Sequence, residues 1–213
     1  VDGRLFLAME YIHGHTLLSY LKAISKAGQM GSPSVAVTLG SAVAAALEHI
    51  HGLRSPSGAN LDVIHRDVSP QNVMVSSAGA VKLIDFGIVR SAIQIHQTHA
   101  GVVKGKFSYM APETIVDPAT VDHRADLFAV GIMLHEILTG RPLFRGRDAA
   151  ATMKRVRRLP IPSISELRSD VPPELQAVVE KALERDPAVR FQTASELLQA
   201  IENAANQTGV PLS

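Results

Sequence analysis

The stretch Val63-Ile64-His65-Arg66-Asp67-Val68-Ser69-Pro70-Gln71-Asn72-Val73 decides how the rest of the chain is read. A carboxylate, Asp67, and a side-chain amide, Asn72, stand five positions apart between two short apolar runs. Taken alone, Asp67 reads as a capping or turn aspartate, because short carboxylates commonly cap and turn. Downstream, Val73-Met74-Val75 and Val81-Lys82-Leu83-Ile84 flank Ser76, Ser77 and Gly79, the pattern of a hairpin. Asp85-Phe86-Gly87 follows the second of these strands. After Gly87 the pattern dissolves until about Tyr109, and Ala111-Pro112-Glu113 closes this long irregular loop. Loops of that kind in compact domains are usually functional or disordered.

Upstream, Leu5 to Met9 is a short apolar run followed by Glu10-Tyr11-Ile12 and then Gly14. It reads as a buried strand leaving its sheet into a loop. Leu17, Leu18, Leu21 and Ile24 recur at helical spacing, and Gly28 to Pro33 breaks that helix. Ser32-Pro33 starts a long alanine-rich helix carrying Val37, Val43, Leu47 and Ile50. Its small side chains allow close packing and predict a central position. Ser55 to Asn60 is a polar turn. Asp122 begins another helix, with Val130, Leu134, Ile137 and Leu138 on one face and Gly140 at its end. Further helices are predicted around 146–157, 173–184 and 194–205, with Pro160, Pro162 and Pro187 in the breaks.

Composition narrows the classes. The 213 residues are 46% hydrophobic and 19% charged, enough for one large domain or two small lobes. An ordinary apolar fraction and a net charge of +1 exclude disorder as the main state. The same near-neutral charge speaks against a nucleic-acid binder driven by bulk charge. With no cysteine, a disulfide scaffold, a zinc-thiolate site and a cysteine nucleophile are excluded. The apolar runs look far shorter than a membrane span, so no membrane contact is expected from this segment. Val1 stands where a start methionine would, and no signal peptide precedes the domain, so the chain reads as a piece of something longer. A cytoplasmic location is expected, with any membrane anchor outside this segment.

Asp67 with Asn72, Asp85-Phe86-Gly87, Ala111-Pro112-Glu113, the run Asp122 to Gly131, and Asp186-Pro187 with Arg190-Phe191 occur in one order. Together they resemble the large lobe of a eukaryotic-type serine/threonine protein kinase, and Asp67 to Asn72 is worded like bacterial members. The resemblance covers almost the whole chain. It implies an α+β, mostly helical fold: a remnant small-lobe strand and hinge over 1–12, the kinase large lobe over 13–205, and the start of a C-terminal linker over 206–213. It implies transfer of the γ-phosphate of magnesium-ATP to Ser/Thr hydroxyls of protein substrates. Such transfer needs positioning and charge stabilisation more than covalent help. By resemblance, Asp67 orients the attacking hydroxyl and accepts its proton, while Asn72 and Asp85 hold Mg2+ through hard oxygen ligands. Backbone groups of Glu10 and Ile12 would pair with the adenine edge, Met9 would be the gatekeeper and Met74 would lie under the ring. Plain core packing is the alternative for both methionines. Glu113 and Arg190 are carried over as an ion pair, Asp126 as the residue that holds the catalytic-loop backbone, and His65 as a packed histidine.

Three departures stand beside the resemblance. The glycine-rich loop, strand lysine and helix glutamate of the small lobe would all precede Val1, so the fragment alone is expected to be inactive. Ser69 occupies a position where lysine is usual, and Lys106 one where threonine is usual. The two appear exchanged: Lys106 would reach the phosphate site as a catalytic residue and Ser69 would supply the hydroxyl. A solvated loop charge is the alternative for Lys106. The rival function is a pseudokinase, a nucleotide-responsive binding module without transfer, which Ser69 favours and intact Asp67, Asn72 and Asp85 oppose.

Arg66 before Asp67 suggests switching by loop phosphorylation, with Thr98 preferred over Ser91 and Ser108 because it lies mid-loop. Arg141, Arg145, Arg147, Lys154, Arg155, Arg157 and Arg158 read either as a solvated face or as a docking surface for an acidic partner. His13/His15, His49/His51 and His96/His99 lack the third ligand that a metal site needs.

Overall fold

The computed structural model describes residues 9–85 and 107–210. Among them, β1 (Gly14–Thr16), β2 (Val73–Ser76) and β3 (Val81–Leu83) form an antiparallel sheet in that order. The rest is mainly helix: α1 (Leu17–Lys26), α2 (Pro33–His51), α3 (Pro112–Val116), α4 (Arg124–Thr139), α5 (Ala149–Arg158), α6 (Ile164–Leu167), α7 (Pro173–Ala182) and α8 (Ala194–Thr208). The expected α+β, mostly helical class is the one found.

The main helices stand where apolar spacing and capping residues put them. Thr16 caps α1 by accepting the Ser19 N–H, and Leu17, Leu21 and Ile24 are buried. Ser32 does the same for α2 through the Val35 N–H, with Pro33 in the first turn, where a missing N–H costs nothing. Small residues let α2 lie close to its neighbours. A Cβ on Gly40 would stand 2.8 Å from Leu134 Cδ2 of α4. α2 is long and apolar enough to cross a membrane by length and composition, which corrects the expectation that the apolar runs fall far short. In this fold Ala36, Val37, Leu39, Val43, Leu47 and Ile50 are buried, and the helix packs on α4 and α8.

α4 is buried on every side from Ala125 to Thr139, as a helix without a solvent face must be. Gly140 ends it in the left-handed region, donating to the Glu136 carbonyl. Phe128 of α4 stacks on Phe144 with ring centroids 6.2 Å apart.

Several details differ from the sequence reading. Gly14 lies in β1 rather than in a loop. A Cβ there would meet the Val75 carbonyl oxygen at 2.1 Å, so glycine is what lets the two backbones pair. α4 begins at Arg124, because Asp122 instead accepts the Arg124 N–H at 2.9 Å. α8 continues past 205 to Thr208, so the first residues assigned to a linker are helical. α3 and α6 are too short to show a helical period and were not foreseen. The strand expected from Leu5 lies outside the described residues up to Ala8.

Candidate active site

The loop carrying Asp67 is hung from one carboxylate. Asp126, in the first turn of α4, is 2% exposed. Its Oδ2 accepts the His65 N–H at 2.8 Å, and its Oδ1 accepts the Arg66 N–H at 2.8 Å. His51, at the end of α2, places Nε2 2.9 Å from the same Oδ2. These partners are what make a buried carboxylate tolerable. With its amide held, Arg66 adopts φ 63, a left-handed conformation that non-glycine residues take at a cost. That turn delivers Asp67, half-buried, at the loop's edge. The Asp67 N–H donates to His65 Nδ1 at 3.3 Å. Pro70 secures the far end by accepting the Leu18 N–H at 2.8 Å.

Asn72 ties this loop to the hairpin. Its Nδ2 donates to the Asp67 carbonyl at 2.8 Å, leaving Oδ1 as the outward acceptor. Its own carbonyl accepts the Ile84 N–H at 2.8 Å, one step beyond the Val73–Leu83 pair. Asp85, the next residue, is exposed with φ 57. Asp67 and Asn72 are thus joined by a side-chain bond, and Asp85 follows directly on the residue whose N–H the Asn72 carbonyl accepts. An amide oxygen and a carboxylate at the two ends of one hairpin suit a small hard dication that keeps other oxygen ligands. Among the described residues no group of three His, Asp or Glu side chains suits a metal. His13 is instead bonded to Ser77 (3.1 Å) and His51 to Asp126.

The hairpin register sorts the nucleotide side. Residues paired across strands share a face, so Thr16, Met74 and Lys82 lie together, opposite the face of His15, Val75 and Val81. Lys82 Nζ reaches both Glu10 carboxylate oxygens, at 2.5 and 2.6 Å. This pair brings the hinge segment to the Met74 face. Met74 is half-buried, Ile12 half-buried and Glu10 exposed. Met9 is 64% exposed, which removes core packing as its role among the described residues. A cavity of about 830 Å³ opens on the other side of the hairpin, between Leu17, Tyr20, Leu39, Val75 and Val81. Met74 and Lys82 are not among its lining residues.

Residues of the 107–116 segment lie on the other side of Asp67. A cavity of about 90 Å³ beside Asp67 is lined by Tyr109, Met110 and Thr114. The Tyr109 hydroxyl donates to Glu136 of α4. Burial raises the Glu136 carboxyl above its ordinary range, although the Tyr109 bond pulls it down. Burial also raises Tyr109 well above the ordinary phenol value. Glu113 pairs with Arg190 through two hydrogen bonds, at 2.9 and 3.2 Å. Ser108 is buried, a poor position for a phosphorylated hydroxyl. Ser91, Thr98, Phe86, Gly87 and Lys106 lie outside the described residues. The Lys82–Glu10, His51–Asp126 and Tyr109–Glu136 contacts were not legible in the sequence, since each joins residues far apart in the chain.

Burial lowers both His65 and His135 below the ordinary imidazole value of 6.5. The unfolded chain protonates these positions first, so their contribution is full above about pH 6.5 and is lost as pH falls toward the folded values. Glu136 has the opposite sign: its contribution is full below the ordinary glutamate range and is lost as pH rises through the raised value. The denaturation midpoint is expected to drop as pH falls from about 7.5 to about 5.5, a window set by the ordinary histidine value. His135→Gln should flatten that drop. An unchanged midpoint over the window would contradict the assignment.

The chain matches the protein kinase domain family over residues 2–201. It is 35% identical over 202 residues to the tyrosine-protein kinase MasK of Myxococcus xanthus, covering 94% of this chain and 31% of MasK. It is 35% identical over 205 residues to the serine/threonine-protein kinase PknD of Mycobacterium tuberculosis, covering 96% of this chain and 29% of PknD. The chain thus spans about a third of the length of these relatives. The solved kinase domain of Mycobacterium tuberculosis PknI is similar in shape, with a TM-score of 0.66 at 27% identity over 92% of this chain and 65% of that one. A loop carboxylate hung from a buried aspartate, an amide and a second carboxylate joined through a hairpin, and a match over nearly all residues lead to one statement: this chain belongs to the protein kinase domain family.

Proposed function

We propose that the full-length protein transfers the γ-phosphate of magnesium-ATP to Ser/Thr hydroxyls of protein substrates. One observation carries this reading. Asn72 bonds the Asp67 carbonyl with its side chain and Ile84 with its backbone, so Asp67, Asn72 and Asp85 form one connected unit. The acceptor hydroxyl, oriented by Asp67, bonds to the γ-phosphorus as the bond to the bridging oxygen breaks. ADP leaves with that electron pair, and the hydroxyl proton goes to the Asp67 carboxylate. Asn72 and Asp85 would hold Mg2+, which would supply charge neutralisation on the phosphates. Glu10 and Ile12 offer backbone groups to adenine, above Met74. Use of ATP supports a cytoplasmic location for this part of the protein.

Ser69, buried where the family usually has lysine, favours the second reading, a nucleotide-responsive module without transfer. The test is incubation of the purified full-length protein with γ-labelled ATP, Mg2+ and a generic acceptor protein, followed by phosphoamino-acid analysis. Phosphoserine or phosphothreonine is expected. Phosphotyrosine alone would overturn the acceptor class, and absence of transfer by folded protein would favour the second reading. Full turnover by Lys106→Ala would end the proposed exchange with Ser69.

A further inference from the structure

Seven basic residues and one acid, Asp148, occupy positions 141–158, a net of +6 in a chain whose total is +1. All seven basic side chains are exposed. The charge is therefore local to one region of the surface.

Helix α5 organises this patch. Thr152 and Val156 are buried, and the helix packs on the Phe107–Tyr109 turn and on α3. At about 100° per residue, Lys154 and Arg158 fall on the side opposite Val156, and Arg157 on its flank. Arg141, Arg145 and Arg147 join them from the segment leading into the helix.

Helix building accounts for only part of this charge. Cations suit a helix C-terminus, which covers Arg155, Arg157 and Arg158, but near the N-terminus, where Arg145 and Arg147 lie, they are unfavourable. Lys154 with Arg158 is a like-charge pair at the destabilising i,i+4 spacing. Few of these charges are compensated internally. Arg147 lies 3.3 Å from Asp148, and Arg155 donates to the Arg145 carbonyl at 2.6 Å. Lys154, Arg157 and Arg158 form no ion pair among the described residues.

We infer that the basic face of α5 is a docking surface for Asp/Glu-rich segments of the protein substrates. This rests on the function proposed above and names a chemistry for the substrate. Position supports it. The turn against which α5 packs carries Tyr109, which lines the cavity beside Asp67. A polypeptide leaving the acceptor site toward α5 meets guanidinium forks that match carboxylates two bonds at a time.

The test uses the full-length protein and its triple variant Lys154→Glu, Arg157→Glu, Arg158→Glu. Binding of a fluorescein-labelled Glu-rich peptide is followed by anisotropy, beside the same peptide with glutamine in place of glutamate. Wild type is expected to prefer the Glu peptide about tenfold at low salt and to lose that preference by about 0.5 M NaCl, where screening is short-ranged. The variant should show no preference. An acceptor peptide carrying the Glu segment should show a KM raised about tenfold in the variant, while the same acceptor without it keeps its kcat and KM. If wild type fails to phosphorylate the plain acceptor, the proposed function fails, and the anisotropy still reads docking. A preference that survives in the variant overturns the inference. Binding of phosphatidylserine vesicles without binding of the Glu peptide overturns it as well.

Discussion

Asp67→Asn in the full-length protein is expected to lower kcat for phosphate transfer by about 10²- to 10⁴-fold, the usual contribution of a positioned acid–base group. The substitution is nearly isosteric. Two bonds that place residue 67 use its backbone, the N–H toward His65 and the carbonyl toward Asn72, and asparagine keeps both. What is lost is a carboxylate that orients a hydroxyl and takes its proton. Because ATP contacts are assigned to the hinge, Met74, Asn72 and Asp85, the KM for ATP should stay within a fewfold. Steady-state kinetics beside a thermal melt separates this from misfolding. A kcat within threefold of wild type, with an unchanged melt, would remove Asp67 from the mechanism.

Arg190→Met should destabilise the fold by about 3–5 kcal/mol, as expected when one partner of a buried ion pair is removed. Arg190 is 1% exposed. Its guanidinium donates twice to Glu113, to the Arg124 carbonyl at 2.6 Å and, through Nε, to the Glu184 carbonyl at 2.9 Å. Its Cζ also lies 4.9 Å from the centroid of the Phe128 ring. One side chain thus ties α3, the start of α4 and the segment after α7. Arg190→Lys should rescue little, because an ammonium cannot reproduce the planar fork. Combining Arg190→Met with Glu113→Leu should cost less than the two single changes added, since no buried charge is then left alone. Denaturant midpoints for the four proteins give the comparison. Additive losses, or a single loss under about 1 kcal/mol, would show that the pair carries little of the stability.

Much of the site was legible because its parts are local. Asp67 and Asn72 lie in one loop, and a hairpin with a short turn returns the chain to Asp85. The long helices were legible for a similar reason, since apolar spacing and capping residues act within a few turns. β1 was not, because three residues carry no usable alternation and its pairing depends on β2, some sixty residues away. Glu10 was given only a backbone role, and its ion pair with Lys82 came from the register of the hairpin.

The sequence by itself determined the helical class, the two carboxylates and the amide of the site, and the concentration of positive charge before and within α5. Such features depend on residue type and short spacing, which a linear chain states directly. Only the tertiary structure decided that Asp126 accepts both the His65 and Arg66 amides alongside His51, that Lys82, on the Met74 face of the hairpin, pairs with Glu10, and that α5 packs on the turn carrying Tyr109. Each of these joins groups separated by tens of residues, and a buried donor or charge finds its partner only when packing has removed water as the alternative.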